Sequence, residues 1–193
     1  MTVIHFEAAT AERWADIETL FGERGACGGC WCMAMRLPRR DWVAGKGAAN
    51  KRAFKRIVAR GGRPGVLAYA DRDPIGWCAV GPRADFAVLA NSRVLAPVDD
   101  EPVWSVTCLF IRKDWRRRGL STRLLRAAAE LARAGGARIV EGYPISPSTT
   151  DMPAPFLWLG TPPAFVAAGF VEVARRSRLR PIMRKAVRPP SER

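Results

Sequence analysis

The sequence predicts a mixed α/β (α+β) fold in which helices flank one central sheet. Two patterns carry this prediction. Residues 103–111 are rich in β-branched and aromatic side chains, as in a buried strand, and an amphipathic helix follows from Leu120. Earlier in the chain, residues 65–70 and 74–80 have the composition of two hairpin arms around a short polar turn. Strands therefore occur both as a hairpin and next to a helix, which is typical of a mixed sheet.

Length and composition favour one globular domain. The chain has 193 residues, of which 48% are hydrophobic and 26% charged. We expect one domain over residues 1–186 and a disordered tail over 187–193. No apolar run has the length of a membrane span, and the N-terminus lacks a secretory pattern, so we expect a cytoplasmic protein without membrane contact.

The formal net charge of +14 points to anionic ligands. The positive charge is nearly all arginine and is spread along the chain, whereas nucleic-acid-binding tails concentrate it. A phosphorylated small molecule accounts for part of the excess. A basic nucleic-acid-binding domain remains a less favoured alternative.

The first half of the chain predicts a strand, two helices and the hairpin. A strand over residues 3–7 leads to a helix over 10–21, with Thr10 as its N-cap. A short turn or helix covers 38–46, and a second helix with a strongly basic face covers 48–60. A short helix over 84–90 then precedes the central strand.

The second half predicts a strand–helix–strand unit and a C-terminal strand pair. After the helix that starts at Leu120, residues 138–144 read as the next parallel strand. Residues 146–160 form a long loop, which we expect to be a functional lid. Thr161 caps a helix to residue 168, and strands follow through 174 and over 179–186.

A glycine opens the central helix directly after three arginines, in Arg116-Arg117-Arg118-Gly119-Leu120-Ser121. Backbone N–H groups in the first turn of a helix have no intrahelical partners, and the helix dipole adds positive charge there. Glycine allows a phosphate to approach the main chain. The sequence therefore predicts a phosphate cradle. It is neither a Walker loop nor a dinucleotide fingerprint, because the residues that define those motifs are missing.

This arrangement resembles the acyl-CoA-binding motif of the GNAT superfamily of N-acetyltransferases, Arg/Gln-x-x-Gly-x-Gly/Ala, with Ser121 in the last position. Leu109-x-Ile111 matches the strand that pairs with the pantetheine arm, and Ala164-Phe165-x-x-x-Gly169-Phe170 resembles the C-terminal helix and turn. The resemblance implies a mostly antiparallel sheet of about six to seven strands, splayed around the CoA-binding strand. It also implies a single acyl-CoA N-acyltransferase domain, monomeric or homodimeric. Such an enzyme transfers an acetyl group from acetyl-CoA to a primary amine by direct attack in a ternary complex.

The same resemblance supplies the residues expected to bind acetyl-CoA. They comprise the strand residues that would pair with pantetheine and the turn that would cradle the pyrophosphate: Leu109, Phe110, Ile111, Arg116, Arg117, Arg118, Gly119, Leu120, Ser121 and Thr122. No metal is expected.

The catalytic groups are less clearly marked. Many relatives place an acidic tyrosine where this chain has Phe165, so we take Tyr143 as the substitute acid. Strand alternation puts Tyr143 and Glu141 on one face. Glu141 is costly to bury alone, so either an arginine neutralises it or it acts as a base.

Small hydroxyls and surface carboxylates complete the catalytic candidates. Alternation places Ser105 and Thr107 on the same face as Leu109, where they could hold a proton-relaying water. Three aspartates rank lower: Asp99, Asp100 and Asp151. The first two belong to an acidic segment that could attract an ammonium group.

Three of the five cysteines lie close together as Cys27-x-x-Cys30-x-Cys32. Zinc normally takes four ligands, and no second cysteine pair or histidine lies nearby in the sequence, so small residues in a tight turn are favoured over a metal or redox site. The adjoining segment 30–35 is rich in soft side chains, and we expect it to line an acceptor pocket.

Two readings compete with the enzyme. One is a catalytically weak CoA-binding sensor on the same fold, which the missing tyrosine would also suit. The other is the basic nucleic-acid-binding domain described above. The acceptor stays open among small amines, antibiotics, peptide N-termini and lysine side chains.

Overall fold

A computed structural model of the chain describes residues 2–146 and 157–188. Most of the predicted lid, Asp151 and residues 189–193 lie outside the described residues. The helices are α1 (Trp14–Phe21), α2 (Arg39–Ala44), α3 (Ala48–Ala59), α4 (Ala87–Ala90), α5 (Leu120–Ala134) and α6 (Pro162–Ala167). The strands are β1 (Ile4–Ala8), β2 (Gly65–Ala70), β3 (Asp73–Pro82), β4 (Trp104–Ile111), β5 (Ile139–Gly142), β6 (Val171–Arg175) and β7 (Pro181–Ala186).

In the described part of the chain, seven strands form one sheet in the order β1-β2-β3-β4-β5-β7-β6. Every neighbouring pair is antiparallel except β4 and β5, which are parallel. A parallel pair needs a crossover, and α5 provides it. The mixed, mostly antiparallel sheet predicted from the sequence is confirmed.

Helices cover both faces of this sheet. Helix α5 packs on one face through a stripe of buried leucine and alanine side chains, among them Leu120, Leu124 and Ala128. Each fully buried leucine contributes about 1.5–3 kcal/mol of apolar burial. The opposite face packs against α1 and α3, where Ile17 and Phe54 are fully buried. None of the helices in the described ranges has the length and apolarity to cross a membrane.

The predicted N-terminal helix starts later than expected. Residues Ala11–Arg13 form a single 3₁₀ turn, and Thr10 makes no side-chain capping bond. The α-helix begins at Trp14 with no side-chain cap. The buried apolar stripe of α1 therefore fixes this helix more than the cap does.

Strands β4 and β5 separate after a short stretch of pairing. Only Trp104–Val106 pair with Val140–Gly142. Among the described residues, no strand pairs with the β5-side edge of β4 from Thr107 onward. The splay implied by the family resemblance is present, and it opens beside Leu109.

A bulge in β4 corrects the predicted faces of this strand. Ala79 pairs with Cys108 while its neighbour Val80 pairs with Val106, so Thr107 is an extra residue. A bulge reverses the alternation of side chains beyond it. Val106 and Leu109 both pack against α5. Ser105 and Thr107 therefore do not share the face of Leu109 and Ile111, and that prediction was wrong.

Candidate functional site

The predicted phosphate cradle lies at the N-terminus of α5. Gly119 has φ 71°, in the left-handed region, and a Cβ added there would meet nothing within 4 Å. The turn is therefore open to solvent directly above the first free N–H groups of α5. No acidic residue occupies the first turn of the helix, so its positive end is uncompensated by this helix.

The arginines of the turn are held partly by the main chain. Arg116 donates from Nε to the carbonyl of Ile111 at 2.9 Å, and the Arg118 guanidinium lies 5.0 Å from the ring centre of Trp115. Arg112 pairs with Asp114 instead. Within residues 2–146 and 157–188, no carboxylate pairs with Arg116, Arg117 or Arg118, so their charge is available to an anion.

Two cavities meet at the splayed edge of β4. The first, which we call the cradle cavity, has about 230 Å³ and includes Arg116, Ser121 and Thr161 in its wall. The second, the cysteine cavity, has about 320 Å³ and includes Cys30, Cys32 and Thr107. Both are lined by the same five residues at their boundary: Ala26, Cys27, Leu109, Phe110 and Trp158. A ligand that extends from the cradle thus reaches the cysteine cavity.

Trp158 closes this boundary through its backbone. The N–H of Leu109 donates to the carbonyl of Trp158 at 2.6 Å. A neighbouring bond from the N–H of Ile145 to the carbonyl of Gly160, at 2.9 Å, holds the same segment against the end of β5. The edge that the resemblance assigns to pantetheine is therefore occupied at Leu109 by the chain itself.

The turns between α1 and α2 form one wall of the cysteine cavity. Three non-glycine residues there have positive φ: Ala26 (67°), Trp31 (44°) and Cys32 (59°). Backbone of this kind is strained and persists only where its surroundings fix it. Of the segment 30–35, Cys30, Cys32 and Met35 line this cavity, whereas Trp31 and Met33 pack in the core. Its role as an acceptor pocket stays a prediction.

A close backbone approach holds that wall in place. The carbonyl of Gly29 accepts from the N–H of Gly47 at 2.9 Å and from the buried Asn50 amide at 3.3 Å. A Cβ on Gly29 would come to 2.5 Å from the nitrogen of Gly47. Only glycine permits this packing, which joins the cysteine-bearing turn to the start of α3.

The thiols differ in their surroundings. A hydrogen bond with the Cys108 thiol, followed by the charge of Arg36, holds the pKa of Cys32 below its usual range. Burial raises the pKa of Cys30. In the described residues no three His, Cys, Asp or Glu side chains converge as metal ligands would. Cys27, at the cavity boundary, is exposed.

Three of the predicted catalytic residues form one buried polar network. The phenol of Tyr143 donates to Glu141 at 2.7 Å and lies 2.8 Å from the Ser105 hydroxyl. Arg83 donates to both Glu141 (3.1 Å) and Tyr143 (2.6 Å), and Arg184 donates to Glu141 at 2.7 Å. Ser105, Glu141 and Tyr143 are each fully buried. Of the two alternatives for Glu141, neutralisation by arginine is the one present.

This network lies behind the cavity walls. Ser105, Glu141 and Tyr143 line neither cavity, whereas Thr107 lines the cysteine cavity. Burial, followed by the charge of Glu141, raises the pKa of the Tyr143 phenol. Phe165 is fully buried and packs against Phe170 with ring centres 5.0 Å apart.

The acidic segment before β4 is not at either cavity. Asp99 pairs with Arg184 at 2.6 Å, and a hydrogen bond from that guanidinium lowers the pKa of the Asp99 carboxyl. Neither Asp99 nor Asp100 is among the described residues of the cavity walls, so the suggested attraction of an ammonium acceptor has no counterpart there.

Thr122, in the first turn of α5, donates its hydroxyl to the carbonyl of Ala164 at 3.4 Å.

Sequence reasoning missed several residues of the site. Arg83 and Arg184 complete the buried network, and Trp42 and Lys46 line the cysteine cavity. A carboxylate inside the apolar strand β5 signalled that an arginine was needed. The sequence has 32 lysines and arginines, so the partner could not be chosen.

Comparison with known proteins places these features in a family. The model of the acetyltransferase (GNAT) family matches residues 31–144, which include β4, the cradle and the α5 crossover. No curated protein matches the sequence significantly.

Solved structures share the fold at low identity. A GNAT-family acetyltransferase from Desulfovibrio desulfuricans is 15% identical, with 95% of this chain and 99% of that one aligned at a TM-score of 0.54. The acetyltransferase yncA from Salmonella typhimurium, solved with acetyl-CoA, is 13% identical over 98% and 96%, with a TM-score of 0.56. An arylalkylamine N-acetyltransferase from the mosquito Aedes aegypti is 14% identical over 95% and 87%, also at 0.56.

The family match covers more than half of the chain, and it includes β4, which lines both cavities, together with the turn and the helix that form the cradle. The chain belongs to the GNAT acetyltransferase family.

Proposed function

We propose that this protein is an N-acetyltransferase that transfers an acetyl group from acetyl-CoA to a primary amine. One observation carries the proposal: the cradle cavity and the cysteine cavity meet at the splayed edge of β4. Acetyl-CoA enters from the cradle, with its pyrophosphate on the N–H groups from Arg117 to Thr122 and on Arg116. Its arm follows Leu109, Phe110 and Ile111 to the cavity boundary. The relative from Salmonella binds acetyl-CoA on the same fold.

The acceptor amine occupies the cysteine cavity and attacks the thioester directly. Its nitrogen forms a bond to the carbonyl carbon, the carbon–sulfur bond breaks, the CoA thiolate leaves, and the nitrogen releases one proton to solvent. Among the described residues, β4 has no strand partner on its β5 side from Thr107 onward, and Thr107 lines the cysteine cavity. Its backbone N–H is therefore the candidate to polarise the carbonyl. Positioning the two reactants supplies much of the rate.

The reaction needs neither a general base nor a general acid from the buried polar network. An apolar cavity disfavours the ammonium form of the acceptor, so the amine is neutral when it reacts. A thiol of the cysteine type has a pKa of about 8.5, so the leaving thiolate is only weakly basic. We assign Ser105, Glu141 and Tyr143 to positioning β4 against β5, and Thr107 to direct contact with the acceptor.

An acetylation screen tests the function. The protein is incubated with acetyl-CoA and four classes of acceptor: small amines, antibiotics, peptide N-termini and lysine side chains. Thiol release and acetylated product are measured by absorbance and mass spectrometry, and we expect product in at least one class. Binding of acetyl-CoA without any product would favour the sensor instead. Salt-dependent nucleic-acid binding that CoA fails to displace would favour the third reading.

A further inference from the structure

The charge of the cysteine cavity restricts its acceptor. Among the described residues that line it, Lys46 is the one basic side chain, and none is Asp or Glu. The rest of the wall consists of small, thiol, thioether and aromatic groups: Ala26, Cys27, Gly28, Cys30, Cys32, Ala34, Met35, Trp42, Thr107, Cys108, Leu109, Phe110 and Trp158. An amine that entered this cavity as ammonium would have no carboxylate to bind.

Lys46 lies in the wall of the cavity without an ion-pair partner among the described residues. Its ammonium lies 5.1 Å from the ring centre of Trp42, another lining residue. Lys51, by contrast, pairs with Glu18 at 2.6 Å. Across residues 2–146 and 157–188, no carboxylate lies within ion-pairing distance of Lys46. Lys46 is exposed, and an ammonium group that has no carboxylate partner and lies beside an aromatic wall is available to an anionic group on the ligand.

A second cation lies beside the same wall. Arg36 is buried (8% exposed) and follows Met35, which lines the cavity. Its Nη1 pairs with Asp85 at 3.2 Å, whereas its Nε and Nη2 have no hydrogen-bond partner among the described residues. Arg36 also contributes to the lowered pKa of Cys32, after the hydrogen bond with Cys108. Asp85 pairs with one edge of this guanidinium, but the charge of Arg36 still acts on Cys32 in the cavity wall. It adds to the charge of Lys46 and disfavours a purely cationic ligand.

We propose that the acceptor is an amino acid with an apolar or aromatic side chain, whose carboxylate binds Lys46 and whose side chain fills the cysteine cavity. This inference rests on the proposed acetyl transfer and names its substrate class. The volume of about 320 Å³ is at the lower end of the roughly 300–1,000 Å³ usual for small-molecule sites, so one small molecule fits it better than a protein segment. The neighbouring cations also disfavour the ammonium form of the amine, which suits direct attack.

Matched pairs of acceptors test the inference. Phenylalanine is compared with phenethylamine, and tryptophan with tryptamine, by the rate of thiol release from acetyl-CoA. The wild-type protein should favour the amino acid of each pair by about two- to fivefold in kcat/KM, as expected for one solvent-exposed ion pair. Lys46→Gln should remove this preference and Lys46→Glu should reverse it, while the KM for acetyl-CoA stays the same.

Lys55→Gln is the matched control, because Lys55 also lies over a tryptophan, 5.5 Å from the ring centre of Trp14, but lines neither cavity. It should keep the wild-type preference. A preference for the amines without carboxylate, or one that Lys46 variants leave unchanged, would overturn the inference and leave acetyl transfer standing. Thiol release with other amine classes alone would do the same. No thiol release with any amine, despite bound acetyl-CoA, would overturn the proposed function as well.

Discussion

The cradle cavity and the cysteine cavity share a boundary but are lined by different kinds of chemical group. The phosphate-binding part of the cradle cavity consists of backbone N–H groups and solvent-exposed arginines from one continuous turn before α5. The cysteine cavity is made of side chains from three separate segments, around α2, β4 and Trp158. A backbone site recognises a group common to all acyl-CoA molecules, whereas a side-chain site can change with the acceptor. In the proposed enzyme, donor binding and acceptor choice are therefore separable.

The largest expected effect is the loss of acetyl-CoA binding when Gly119, in the cradle turn, is substituted. Gly119→Glu places a carboxylate at the open turn, opposite the phosphates, and it should abolish acetyl-CoA binding measured by calorimetry. Gly136→Glu is the matched control: Gly136 also has positive φ (88°) and open space for a Cβ, but it follows the other end of α5. Both variants carry the same backbone strain. Retained affinity in Gly119→Glu would remove the cradle from this turn.

A smaller effect is expected behind the cavities, at Tyr143. Tyr143→Phe removes a phenol that bonds to Glu141, Ser105 and Arg83. The free energy of unfolding in urea should fall by about 1–3 kcal/mol, while kcat and its pH profile change little. Tyr69→Phe is the control, since Tyr69 donates to Asp16 at 2.6 Å in another part of the sheet. A hundredfold loss of kcat in Tyr143→Phe alone would make Tyr143 the acid.

The smallest expected effect concerns Cys27, at the boundary itself. A thiol reagent should modify this exposed cysteine, and acetyl-CoA should slow the modification severalfold by covering it, as followed by mass spectrometry. Cys78 should stay unmodified because it is buried and its burial raises the pKa of its thiol. Cys27→Ser identifies the modified peptide. Equal rates with and without acetyl-CoA would move the bound donor away from this boundary.

The sequence predicted the strand, turn and helix of the cradle well because their determinants are local, and phosphate binding there stays a prediction. A strand, three arginines, a glycine and an amphipathic helix are contiguous, and each has its own residue pattern. The buried network was predicted in part: Glu141 required a cation, but Arg83 and Arg184 come from distant elements. The wrong faces of Ser105 and Thr107 follow from the bulge, because alternation cannot reveal one extra residue in a strand. Lys46 carried no signal, since a lysine after a short helix is usually solvated.

The bond from Leu109 to the carbonyl of Trp158 has a thermodynamic consequence for donor binding. If pantetheine pairs with this N–H, as proposed, acetyl-CoA exchanges one backbone hydrogen bond for another, and the net gain at that atom is close to zero. Affinity must then come mainly from the phosphates on the cradle. The affinity for acetyl-CoA should therefore fall steeply as ionic strength rises. Acetyl-pantetheine, a shorter donor without the phosphates, should bind much more weakly.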